Sequence, residues 1–151
     1  MQLRTGDGWV EGPDGRQYWG KYGAAGLLIV DAEGRVLLQH RAEYSHQGGT
    51  WALPGGARDA DETAEQGALR EAREEAGVPA DAVEYWFESV LDLGFWSYTT
   101  VAVRVIRPFE AVISDRESIE LRWVSIEDVE SYPLHTGFAA SWPQLRDRIR
   151  A

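Results

Sequence analysis

Residues 56–78 read GARDADETAEQGALREAREEAGV, and in this stretch Glu71, Glu74 and Glu75 follow Arg70. Side chains three and four apart share one helix face, so this spacing gathers three carboxylates on one side of a helix. Like charges so placed cost a few tenths of a kcal/mol per pair, roughly, unless a cation neutralises them. Oxygen donors on one helix suit a hard divalent cation, and Mg²⁺ in particular binds through one or two carboxylates plus substrate phosphates. The helix starts near Glu62 or Thr63 and stops at Gly77, with Pro79 beyond as a C-terminal stop. Its apolar stripe is Ala64, Ala68, Leu69, Ala72 and Ala76, a small-residue face that lets it pack close to a sheet while the glutamates face a cleft. A charge run ordinarily marks a solvated helix face. That reading accounts for neither the flanking glycines nor the fixed order of the charged residues.

The segment resembles the Nudix box, G-x5-E-x7-R-E-U-x-E-E-x-G-U with U aliphatic. Gly56, Glu62, Arg70, Glu71, Glu74, Glu75, Gly77 and Val78 fall in register, and Ala72 is small where a larger aliphatic is usual. The resemblance implies a Nudix fold, an α/β/α sandwich with a mixed β-sheet. It implies hydrolysis of a phosphoanhydride by in-line water attack, with Mg²⁺ as cofactor and Mn²⁺ as the alternative. Such a reaction needs charge neutralisation and a positioned water, with little covalent work for the protein. By the same resemblance Glu74 and Glu75 are metal ligands, joined by the carbonyl of Gly55 or Gly56. Glu71 is the third ligand or the water-activating base, and Arg70 orients the carboxylates, with Glu62 as its partner. Relatives add a carboxylate from a loop ahead of a Trp-containing strand; Glu117 and Glu120 precede Trp123, and Glu117 is preferred.

A chain of 151 residues with 44% hydrophobic and 11% aromatic residues makes one globular domain, 1–151, with 1–23 as an N-terminal hairpin extension. With no cysteine there is no disulfide, thiolate nucleophile or Cys-ligated zinc. This also excludes the isopentenyl diphosphate isomerases, which resemble this family but use a catalytic cysteine. The N-terminus lacks an apolar core and a cleavage site, and no apolar run is long enough for a bilayer, so a cytoplasmic location is expected. A net charge of −10 opposes nonspecific nucleic-acid binding, which clustered Lys and Arg would carry. Lys21 is the single lysine, and arginine suits bidentate phosphate contacts.

Elsewhere, turn signals divide the chain into short elements. Residues 9–20 carry a P-D-G turn between aromatic flanks and read as a hairpin. Residues 24–31 and 36–41 read as strands, the first buried on both faces. A short strand ends at Pro54 and opens a turn at Gly55 and Gly56, where the backbone can approach a ligand. Strands follow at 83–92, 97–107 and 119–125, then a short helix after Ser125 and a terminal helix over 139–150. This mixed order suggests an α/β/α sandwich.

For the substrate, Arg41 and His46 stand thirteen and eight residues before Pro54. An arginine and a histidine at these spacings contact phosphates in the MutT branch, which the chain resembles. Trp51 and Leu53, just ahead of Pro54, complete the expected substrate-contacting set, and Trp51, Trp86 and Trp96 are candidate stacking walls for a base. MutT relatives read oxidised guanine with an asparagine, and this chain has none, so specificity for 8-oxo-dGTP does not transfer. Leu93, fifteen past the box, replaces the proline of ADP-ribose hydrolases, and Gly94, Phe95 and Trp96 replace the tyrosine of dinucleoside polyphosphate hydrolases. The expectation is a small-molecule nucleotide substrate of (d)NTP or nucleoside diphosphate-X type, with no membrane or nucleic-acid partner. A homodimer through the aromatic hairpin is a further expectation. The competing readings are a noncatalytic nucleotide-binding module, which an intact box opposes, and an RNA pyrophosphohydrolase, which an acidic chain without a basic patch opposes.

Overall fold

The computed structural model describes residues 5–42, 48–113 and 118–151. Two expected site residues, His46 and Glu117, lie outside the described residues.

Strands β1 (Trp9–Glu11) and β2 (Gln17–Trp19) form the N-terminal hairpin. The rest of the strands build one seven-stranded mixed sheet. At its centre is β3 (Ala24–Val30), every residue of which is buried. Its continuous apolar run AAGLLIV is what a strand covered on both faces requires. Strand β3 lies antiparallel to β4 (Arg35–Arg41) and to the short β6 (Gly55–Ala57), and parallel to β8 (Ser97–Val105). Strand β8 carries β7 (Val83–Asp92) at one edge, while β4 pairs with both β5 (Trp51–Ala52) and β9 (Ser118–Ser125).

Alternation along the strands sends side chains into two cores. Ala25, Leu27, Ile29, Leu37, Val101 and Val103 meet Ala64, Ala68, Ala72 and Ala76 of helix α1 (Ala64–Ala76) on one face. Leu28, Val30, Val36, Leu38 and Val124 meet Phe138, Trp142 and Leu145 of helix α2 (Thr136–Arg150) on the other. The expected sandwich is therefore the observed fold. The alanine stripe of α1 works as its size suggests: with only methyl groups facing the sheet, Ala68, Ala72 and Ala76 are wholly buried and the helix lies close to β3.

The ends of α1 follow local chemistry. Thr63 and Gln66 form a reciprocal capping box at the N-terminus. Gly77, with φ 66°, closes the C-terminus in the left-handed region that glycine enters without a Cβ penalty. Two expectations need correction. Residues 55–57 are not only a turn, since they pair with Ala24–Gly26 as β6, where the absence of side chains at Gly55 and Gly56 permits close approach. Helix α2 begins at Thr136 rather than at 139, because the His135 imidazole Nδ1 accepts from the Gly137 N–H and supplies a cap. Among the described residues no helix is long and apolar enough to cross a membrane.

Candidate active site

Helix α1 and β6 place the box residues against one another at the start of β3. Arg70 is the hub. Its Nε and one terminal nitrogen donate to the two oxygens of Glu62, at 2.6 and 2.8 Å. The same terminal nitrogen donates to the Ala57 carbonyl at 3.0 Å, and the other donates to Glu71 at 2.8 Å and Glu74 at 3.5 Å. The hydrogen bond to Glu62 does most to hold the Arg70 pKa above its ordinary value; burial opposes the rise, and Glu71 adds to it. Arg70 thus stays a cation and sets the orientation of three carboxylates at once.

Glu62 is itself anchored, accepting from the Asp59 N–H at 2.8 Å, while its carbonyl accepts from Arg58. Glu75 is buried and accepts from the Gly55 N–H at 2.9 Å, which ties the helix to the glycine turn. Glu71 lies against Gly56, where a Cβ would stand 2.8 to 3.0 Å from its carboxylate atoms. Only glycine leaves that carboxylate room.

These donors fit a divalent cation in chemistry. All are oxygens, as Mg²⁺ or Mn²⁺ prefers, and the Glu71 carboxylate occupies the cradle beside Gly56. In this arrangement Arg70 supplies the compensating charge, and among the described residues no three His, Asp or Glu side chains converge as a metal-holding group.

The other sequence candidates are distributed differently. Arg41 ends β4 and is half-buried, its carbonyl and N–H engaged with Gly49 and Thr50. Glu120 is not brought to the box carboxylates. It pairs with Arg122 at 2.6 Å, and because Leu121 and Trp123 face α1, alternation turns Glu120 to the opposite face. Trp51 and Leu53 are buried in the core under α2. The Trp51 ring stacks on His40, with centroids 4.4 Å apart, and meets Tyr132 edge-on. Trp86 lies under Arg104, and Trp96 donates to the Trp19 carbonyl. Tyr98 is a residue that sequence reasoning missed: its hydroxyl stands over Gly26, and both Glu75 and Arg41 act on it electrostatically.

Comparison with known proteins bears on the family and the fold. The family model of the NUDIX domain matches residues 20–146. A putative 8-oxo-dGTP diphosphatase 3 of Mycobacterium tuberculosis is 52% identical over 151 residues, covering 93% of this chain and 69% of its own. A CTP pyrophosphohydrolase of Escherichia coli is 30% identical over 113 residues, 70% of this chain and 78% of that one. The crystal structure of a Nudix hydrolase from M. smegmatis, RenU, superposes with a TM-score of 0.88 at 50% identity, covering 96% of both chains. With the box in register, the sandwich around it and matches of this extent, the chain belongs to the Nudix hydrolase family, on its MutT-like branch.

Proposed function

We propose that the chain is a Mg²⁺-dependent hydrolase of nucleoside triphosphates or related nucleoside diphosphate-X compounds, cleaving a phosphoanhydride by in-line attack of water. The observation that carries this reading is the array on α1. Glu71 and Glu74 share one guanidinium nitrogen of Arg70, and Glu75 is tied to the Gly55 turn. Nudix hydrolases generally use a divalent metal. Held here by Glu74 and Glu75, with Glu71 and a carbonyl of Gly55 or Gly56 as further donors, Mg²⁺ would neutralise charge on the phosphates and lower the pKa of a bound water.

The chain's own residues do the remaining work. Arg70 holds the carboxylates in position through its hydrogen bonds to Glu62, Glu71 and Glu74. Gly56 leaves room for Glu71 to reach the reacting region as donor or base. Arg41, at the end of β4, is the proposed phosphate contact. His46 has the same proposed role, and Glu117 remains the proposed loop carboxylate. Trp51 and Leu53, buried on the α2 side of the sheet just ahead of Pro54, are the remaining proposed substrate contacts.

Two of the similar proteins bear names that point to nucleoside triphosphates, 8-oxo-dGTP in one and CTP in the other. We therefore place (d)NTPs ahead of other substrates, with 8-oxo-dGTP first, since the relative bearing that name is 52% identical. The base must be read without asparagine, by groups near Pro133, Leu134 and His135. Phosphorus NMR of canonical and oxidised (d)NTPs, ADP-ribose, NADH and diadenosine polyphosphates with Mg²⁺ tests the reading. Loss of triphosphate resonances with appearance of a nucleoside monophosphate supports it. Binding without turnover of any of these compounds would replace it with a noncatalytic module.

A further inference from the structure

Strand β3 has one residue without a side chain among its core-facing apolar positions on the α2 side, Gly26. The reason stands on the neighbouring strand. Tyr98 and Ala102 share a face of β8 by alternation, and Ala102 packs in the core beneath α2. From there the Tyr98 ring reaches across β3, and a Cβ at position 26 would lie 2.0 Å from the phenol oxygen and 3.1 Å from the ring carbon bearing it. Glycine in a strand interior gives up packing and costs chain entropy. Its presence here keeps a place for this hydroxyl.

That place adjoins the hydrolytic site. Gly26 pairs directly with Gly55, whose N–H is held by Glu75. The charges of Glu75 and Arg41 both reach the phenol. The hydroxyl thus stands over the strand residue paired with Gly55, which Glu75, a carboxylate assigned to the metal, holds, and it feels the charge of Arg41, an arginine assigned to phosphate. Among the described residues it makes no hydrogen bond to protein; the residue as a whole is half-buried, and its hydroxyl end, set against Gly26, is the covered part. Burial above all, and then the negative charge of Glu75, raise the Tyr98 pKa, with Arg41 opposing, so the group is a neutral donor. The ring is braced from behind: Trp96 lies 6.3 Å from it, and Tyr18 of the N-terminal hairpin lies 4.9 Å from Trp96.

We propose that the Tyr98 hydroxyl positions the substrate, donating a hydrogen bond to a phosphate oxygen of the bound nucleotide, in space that Gly26 leaves open. The inference rests on the nucleotide-hydrolase reading above. A donor to a phosphate that is not transferred serves ground and transition states alike, so its loss appears in KM rather than kcat. One hydrogen bond to a charged oxygen corresponds to about ten- to a hundredfold.

The test is full-length Tyr98→Phe, compared with wild type in steady-state kinetics on the nucleotide that wild type hydrolyses best. A second readout is tryptophan fluorescence with a methylene-bridged, nonhydrolysable nucleotide and Mg²⁺. The expected result is KM and Kd raised about ten- to a hundredfold, kcat within about threefold and an unchanged melting temperature. Gly26→Ala should raise KM comparably in wild type. In the Tyr98→Phe background it should add less, because the phenol oxygen it strikes at 2.0 Å is gone and only the ring carbon at 3.1 Å remains. KM and Kd within about twofold of wild type in Tyr98→Phe would overturn the proposal. A wild type that binds the analogue but cleaves no phosphoanhydride refutes the hydrolase reading alone, and the Kd comparison then decides the role of Tyr98. A wild type that binds no nucleotide overturns both.

Discussion

Replacing Arg70 with lysine keeps the charge and removes the fork. The guanidinium makes two bonds to Glu62, one each to Glu71 and Glu74, and one to the Ala57 carbonyl. The side chains of Arg70, Glu62 and Glu71 are only 11%, 17% and 17% exposed, so water cannot fully replace a lost partner. A lysine ammonium is a point donor and cannot span Glu62 bidentately while also holding Glu71. One or two charged bonds are lost, at about 1.5–3 kcal/mol each. Part of this is recovered by the flexible ammonium, leaving a net cost of about 2–4 kcal/mol. For a domain of this length each kcal/mol shifts the melting temperature by roughly 2–4 °C, so a fall of about 4–16 °C is expected. Arg70→Met, which takes the guanidinium away from Glu62, Glu71 and Glu74, should cost about 3–5 kcal/mol. Thermal unfolding at pH 7 without added metal measures both. A melting temperature for Arg70→Lys within about 2 °C of wild type would refute the claim that the fork organises the carboxylates.

Two further outcomes follow from packing and titration. Ala68→Leu puts a branched side chain where α1 touches β3 at a wholly buried position, and overpacking should cost about 1–3 kcal/mol in urea unfolding. Stability should also fall on the alkaline side because of Tyr98. Its folded-state pKa lies above the ordinary phenol value, so its contribution is intact below about pH 10 and is lost above it, with a slope of up to about 1.4 kcal/mol per pH unit. Unfolding free energies from pH 9 to 11 should show a shallower decline in Tyr98→Phe than in wild type.

The centre of the site was legible because its chemistry is local. One helix carries Arg70, Glu71, Glu74 and Glu75, and Thr63, Gly77 and Pro79 mark its limits by capping and turn chemistry, so spacing alone placed them together. The alanine stripe announced the face that meets the sheet. What remained hidden depends on contacts between distant segments. Residues 55–57 carry two glycines and no strand propensity, and they pair as β6 because β3 offers a buried edge there. Tyr98 belongs to no motif, and its approach to Gly26 exists only through the parallel pairing of β3 with β8. Glu120 was within reach of sequence reasoning: with Leu121 and Trp123 facing α1, parity sends Glu120 and Arg122 the other way, where they form an ion pair. The start of α2 was set by a histidine acting as an N-cap, a role more often filled by Ser, Thr, Asp or Asn.

The most direct test of the account is the rate of Glu74→Gln beside wild type at saturating Mg²⁺, on whichever nucleotide wild type cleaves best. The substitution keeps the shape of the side chain and removes one charge at a half-exposed position. Loss of several kcal/mol of charge stabilisation in the transition state corresponds to a fall in kcat/KM of at least about a hundredfold. The account predicts that fall with the melting temperature held within a few degrees. Turnover retained at the wild-type level in Glu74→Gln would contradict it.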